Sequence, residues 1–249
     1  MNTMNTQHKE DIFVYCLPFA GGNSVSYRSF QKQMPEPFRI RSVELPGRGR
    51  RIREPLLTNL HAMAEDVLQQ IERELNGKKY VLYGHSMGAL LAYLLTQHIY
   101  SSGQTLPLHV FCSGCKAPSL PHDRPLKHQL GKQDFLRYID ELGGLPAELL
   151  HHSEFMNFVE PILRADFQAV ETYAYHPSPP FEVPMTVLAG KEDPKTSYAT
   201  LLPWKEESSS SVQIELFTGG HFFIFDYVSE IAELFVTTLL RQPLDFFRI

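Results

Sequence analysis

An apolar run, Tyr80-Val81-Leu82-Tyr83, ends in Gly84-His85-Ser86-Met87-Gly88 and passes straight into an Ala/Leu segment that begins at Ala89. Gly-x-Ser-x-Gly recurs by chance in unrelated chains, but here the flanks match what the motif needs: a β-branched and aromatic run before it, and helical spacing from Met87 to Tyr100 after it. Such a segment reads as a strand that turns sharply through a serine into a helix. A glycine on each side lets neighbouring backbone approach without a Cβ, so the Ser86 hydroxyl can point outward.

A turn of this kind sits at the edge of a sheet, and the rest of the chain supplies one. Ile12 to Leu17, Phe38 to Val43, Lys79 to Tyr83, Leu108 to Cys112, Pro184 to Ala189 and Val212 to Phe217 read as strands. Leu60 to Leu75, Met87 to Tyr100, Ser197 to Glu207 and Phe223 to Leu240 have helical spacing. Alternation of this type predicts an α/β fold, a mostly parallel sheet with helices on both faces. Functional groups should gather at the carboxyl ends of its strands. From about 119 to 180 the alternation stops, leaving helical patches such as Asp134 to Leu142 and Glu154 to Tyr173 between Leu-Pro and Gly-Gly pairs. That stretch is longer than a crossover requires and predicts a helical lid inserted into one domain spanning 1–249. Its apolar faces would line a channel for an apolar or extended substrate.

At 249 residues the chain can bury a large core but is short for two independent domains. A net charge of −5 gives no basic surface for nucleic acid. The polar start, MNTMNTQHKED, has no apolar signal region, and no run of membrane-spanning length follows, so a soluble cytoplasmic protein is expected. No amphipathic stripe is left over once the core is assigned, which favours a monomer. Cys112 and Cys115 form a C-x-x-C, but Cys112 lies in a strand-like run and no second ligand pair has zinc spacing, so metal and redox chemistry are not expected there.

A serine hydroxyl needs a base to take its proton, and the base needs an acid to hold its tautomer. The chain order for this architecture is Ser, then Asp or Glu, then His. His221, in Gly219-Gly220-His221-Phe222-Phe223, follows the last strand-like run and precedes the last helix. Leu188-Ala189-Gly190-Lys191-Glu192-Asp193-Pro194 offers the acid; Asp193, fixed by the proline after it, is preferred, with Glu192 the fallback and Asp166 a weaker rival inside the expected lid. The oxyanion of an attacked carbonyl would meet the Met87 amide and an amide of the loop Leu17-Pro18-Phe19-Ala20-Gly21-Gly22-Asn23-Ser24. That Gly-Gly pair lacks the Lys-Ser/Thr of a phosphate loop. Arg48 to Arg53 packs four arginines into six residues, either as a solvated basic loop or as a contact for a phosphate or an acidic partner surface.

Pro18-Phe19-Ala20-Gly21-Gly22, Glu44-Leu45-Pro46-Gly47-Arg48-Gly49-Arg50, Gly84-His85-Ser86-Met87-Gly88, Leu163-Arg164-Ala165-Asp166 and Gly219-Gly220-His221-Phe222-Phe223 occur in order along nearly the whole chain. As a set they resemble the external (type II) thioesterases that accompany nonribosomal peptide and polyketide synthases. The resemblance implies an α/β-hydrolase fold and hydrolysis of acyl thioesters on the phosphopantetheine arm of acyl or peptidyl carrier proteins, clearing misprimed or stalled groups. It implies Ser86, Asp193 and His221 as catalytic residues, Ala20 and Met87 as oxyanion-hole amides, and no cofactor. Two positions depart from the pattern: Ala189-Gly190-Lys191-Glu192-Asp193-Pro194 in place of a more acidic Gly-x-x-Asp stretch, and Cys115 in place of a basic residue. A medium-chain fatty acyl carrier protein thioesterase and a general carboxylesterase would share the triad, and a hydrolase-fold binding protein could keep it without using it.

Overall fold

In the computed structural model, which describes residues 10–121, 124–150 and 152–240, six strands run parallel: β1 (Ile12–Leu17), β2 (Phe38–Ser42), β3 (Lys79–His85), β4 (His109–Ser113), β5 (Met185–Gly190) and β6 (Val212–Phe217). Their order is β2-β1-β3-β4-β5-β6, so the chain moves outward once and then reverses across β1. The reversal opens a crevice between the carboxyl ends of β1 and β3, where Leu17 pairs with Gly84. Central strands in such a sheet are covered on both faces and carry no polar alternation. Tyr80 to His85 are accordingly all buried, whereas edge strand β6 alternates toward solvent.

Each face has its own helices. On one, α2 (Leu60–Leu75) turns Leu60, Met63, Ala64, Val67, Ile71 and Leu75 inward at helical spacing, behind an Asn59 cap that accepts the Ala62 amide at 3.0 Å. It packs on α3 (Met87–Ser101), which is apolar nearly all round because it lies between the sheet and α2. On the other face, α1 (Arg28–Gln33) and α8 (Val228–Leu240) cover Val14, Cys16, Val81, Tyr83 and Phe111, with the Phe111 and Phe235 rings stacked at 4.1 Å.

Between β4 and β5 the described residues add no strand to the sheet; after a 3-10 turn at Lys127–Gln129 they form α4 (Lys132–Leu142), α5 (Ala147–Leu150) and α6 (Ser153–Glu171). They build a separate cluster on Phe135, Ile139, Met156 and Leu163. Pro161 sits inside α6 without ending it.

Two expectations need correction. Ser197 to Glu207 is not one helix: α7 covers only Tyr198–Leu201, and Pro203, with no amide hydrogen to continue the ladder, leads it into a 3-10 stretch, Leu202–Glu206. The last helix begins at Val228 rather than Phe223, because Phe223 and Ile224 form a short 3-10 turn buried under the sheet. Helix α1 has no counterpart in the sequence pattern; it buries Phe30 alone and so shows no apolar period.

Candidate active site

Ser86 lies between the end of β3 and the start of α3 with φ 53° and ψ −116°, and among the described residues it is the sole non-glycine with positive φ. Holding a serine there costs on the order of 1–3 kcal/mol, which the packed strand and helix must offset. The glycines show how tight the turn is: a Cβ at Gly84 would strike the Gly88 carbonyl, and one at Gly88 the Leu17 carbonyl. The Ser86 amide donates to Ser113 O at 2.7 Å, tying the turn to β4. The amino end of α3 then points its partial positive charge at the serine.

The loops after β5 and β6 meet beside it. The ring of His221 is buried and its Nδ1 lies 2.8 Å from Asp193 Oδ2. Asp193 also accepts the Lys195 amide at 2.8 Å and the Thr196 hydroxyl at 3.0 Å. Burial alone would raise the Asp193 carboxyl; the His221 hydrogen bond and charge, with the Lys195 and Thr196 donors, outweigh it and hold the carboxyl below its usual range. Glu192 contributes differently, since its carboxylate accepts the Gly219 amide and braces the turn that carries His221. Behind His221, at 4.9 Å between rings, is the fully buried His85, whose Nδ1 is 3.0 Å from Ser113 Oγ. Burial, with His221 adding to it, pushes His85 well below the usual histidine range and keeps it neutral.

Asp166 is also buried, far from that pair in chemistry. It takes both terminal nitrogens of Arg48, at 2.6 and 2.7 Å, and accepts the Gly21 amide at 2.8 Å. Burial raises its carboxyl against the pull of Arg48 and Gly21. Arg48 reaches Gly22 O as well, at 3.3 Å, while Glu44 accepts the amide and hydroxyl of Ser24 at 3.1 and 2.6 Å. Two buried carboxylates and one guanidinium thus shape the loop that carries Ala20. Of the arginine run, Arg48 serves this pair and Arg51 holds Glu54, Asp66 and the Glu44 carbonyl; Arg50 and Arg53 stay exposed.

Two cavities open from Ser86 and His221 and share Leu142, Phe167 and Val170 as a wall. One runs past Ala20 and Met87 under α4 and α6; the other runs along Gly114 to Pro118 toward Lys127, Tyr138 and Lys195.

A family model described as thioesterase domain matches residues 13–239. The chain belongs to the thioesterase family. It is 32% identical over 240 residues to gramicidin S biosynthesis protein GrsT of Aneurinibacillus migulanus, covering 96% of this chain and 93% of that protein. Thioesterase PikA5 of Streptomyces venezuelae is 34% identical, with coverage of 87% and 77%. Among solved structures, the thioesterase RedJ from the prodiginine pathway of Streptomyces coelicolor superposes with a TM-score of 0.83 at 33% identity, covering 90% of this chain and 85% of that one. The sheet and its helices are therefore the α/β-hydrolase fold of a thioester hydrolase.

In this thioesterase the cysteine pair is split: Cys112 is buried in β4 with its thiol toward Ala89 O, and Cys115 lines the second cavity. The sequence marks out the Leu163-Arg164-Ala165-Asp166 and Glu44 to Arg50 stretches without joining them. It gives no prominence to Thr196, whose place three residues after Asp193 is the signal that could have found it. Among the described residues no helix is long and apolar enough to cross a membrane.

Proposed function

We propose that this thioesterase hydrolyses acyl thioesters carried on the phosphopantetheine arm of acyl or peptidyl carrier proteins, through Ser86, His221 and Asp193. The observation that carries the reading is the buried His221–Asp193 hydrogen bond beside the strained Ser86 turn, opening on the same cavities. Asp193 fixes the imidazole with Nδ1–H toward itself, leaving Nε2 as the base. His221 takes the Ser86 proton as Oγ attacks the thioester carbon, and the amides of Ala20 and Met87 receive the oxyanion. The C–S bond then breaks, His221 protonates the departing thiolate, and an acyl-serine remains. Water attacks that ester as His221 takes its proton; the serine leaves with the proton returned, and the product is a carboxylic acid.

The pathways named for the relatives, gramicidin S biosynthesis and the colibactin NRPS/PKS pathway, support a carrier-bound substrate and an editing role. Helices α4 and α6 act as a lid inserted into a single domain, since they supply the far wall of both cavities. The protein works in the cytoplasm as a monomer that visits carrier domains, and light scattering checks the second point.

Intact mass spectrometry of a phosphopantetheine-loaded carrier tests the proposal. Loss of the acyl group that outpaces hydrolysis of the matching free thioester, and that stops in Ser86→Ala, is the expected result. A carrier-bound group that survives while simple esters are cleaved would make the protein a general serine esterase.

A further inference from the structure

Resting on the function just proposed, we infer that the acyl chamber accepts uncharged apolar acyl groups and discriminates against free α-aminoacyl groups. The two cavities at Ser86 differ in chemistry. The one past Ala20 and Met87 is closed by Ile139, Leu142, Leu145, Val159 and Leu163, with Phe222 beside His221. Apart from Ser86 and His221, none of its described lining side chains carries a nitrogen or oxygen atom. The other is lined by Lys116, Lys127, Lys195, Tyr138 and Glu171, and the Lys127 and Lys195 ammonium groups lie 5.3 and 4.8 Å from the Tyr138 ring centroid. The wall of this second cavity is also largely apolar, but a pantetheine arm carries two amides and ends in a phosphate, and only this cavity offers lysines to meet them. The acyl group, held at the same carbonyl, then falls into the first one, on the side of the Ala20 and Met87 amides.

An ammonium on the α-carbon would enter that chamber with its water stripped away and no anion to meet it. The buried carboxylates nearby are already engaged, Glu44 by the amide and hydroxyl of Ser24. Asp193 is taken by His221, Thr196 and the Lys195 amide. Asp166 is taken by both Arg48 nitrogens and the Gly21 amide, and it is not among the residues that line the chamber. Glu160 on α6 pairs with Arg164 and Lys132, and Glu171, in the wall of the other cavity, is taken by the Lys127 and His128 amides and the His128 ring. The charge on His221 in the transition state adds repulsion to the lost hydration, so the penalty should appear in kcat as well as KM.

A matched pair of carrier-bound thioesters tests this: 4-methylpentanoyl, and leucyl, which has the same carbon skeleton plus the ammonium. The ammonium makes the leucyl thioester the more reactive in water, so a preference for 4-methylpentanoyl after subtraction of the uncatalysed rate runs against intrinsic reactivity. We expect kcat/KM to favour 4-methylpentanoyl by about tenfold or more. Val159→Glu, which places an anion in the chamber wall, should narrow that ratio, and Val159→Gln should not. Melting curves report whether each variant folds, and Leu145→Glu replaces Val159→Glu if the latter does not. Equal rates on the two thioesters, or a ratio unmoved by a folded Glu variant, overturn the inference while leaving the catalytic reading intact. Hydrolysis of both that persists in Ser86→Ala overturns the catalytic reading instead.

Discussion

Two of the buried carboxylates, Asp193 and Asp166, are each gripped by a nitrogen side chain from a distant loop. Asp193 holds His221 at 2.8 Å, and Asp166 holds Arg48 at 2.6 and 2.7 Å. Their burial is similar and their partners set them apart. An imidazole can take and return a proton near neutral pH, so the Asp193 pair can run acid–base chemistry. A guanidinium stays protonated and presents a rigid fork, so the Asp166 pair can only fix geometry. What it fixes is the loop of Gly21 and Gly22, next to Ala20. One pair is proposed to move protons, and the other to aim the amide that meets the resulting oxyanion.

The largest effect expected from this contrast is kinetic. Asp193→Asn should lower kcat by about 10⁴ with the fold kept, because the amide favours the wrong imidazole tautomer. Steady-state kinetics beside a melting curve decide it; a mild kinetic loss with a large fall in Tm would give Asp193 the structural role. Arg48→Met should show the reverse weighting. It strands a buried carboxylate, for which about 3–5 kcal/mol of stability is the expected loss. Pairing it with Asp166→Leu should recover much of that loss in denaturant melts, though activity should stay low because the Ala20 loop has lost its brace.

Sequence pattern carries the first of these pairs well and the second poorly. Ser86, Asp193 and His221 each end a strand-like run at a glycine or proline turn, so topology alone sends them to one edge of the sheet. Asp166 and Arg48 are 118 positions apart, on a helix and in a loop, and no local period links them. Pattern alone makes Asp166 a rival acid and Arg48 one member of a basic cluster open to a phosphate. Pairing across such a distance is a tertiary fact, invisible to spacing. The same limit hides the end of the helix at Pro203 and the late start of α8, where burial of Phe223 and Ile224 overrides an unbroken apolar run.

The response to acid should separate the pairs by sign. The folded Asp193 carboxyl lies below its ordinary value, so its contribution to stability is complete above the unfolded value of about 3.9 and is lost as pH falls through the folded one. The folded Asp166 carboxyl lies above its ordinary value, so the native state takes up that proton first on acidification. Its effect on stability then runs in the opposite direction, growing as pH falls from the folded value toward about 3.9. Unfolding free energies followed from pH 6 to 3 should fall less steeply in Asp193→Asn than in wild type and more steeply in Asp166→Asn. Shifts of the same sign in both variants would erase the distinction.

The smallest effect tests the neighbour that shares Asp193's turn. Glu192 accepts the Gly219 amide from an exposed position, and the carbonyl oxygen of a glutamine can accept the same bond. Glu192→Gln should therefore change kcat/KM by less than about threefold, the range of a surface substitution that keeps its hydrogen bond. Were Glu192 the acid, the same change would remove the negative charge that steadies the imidazolium, and the loss would approach that of Asp193→Asn. The two variants measured side by side thus locate the acid without reference to any relative. The charge that matters should be the one already touching His221 Nδ1.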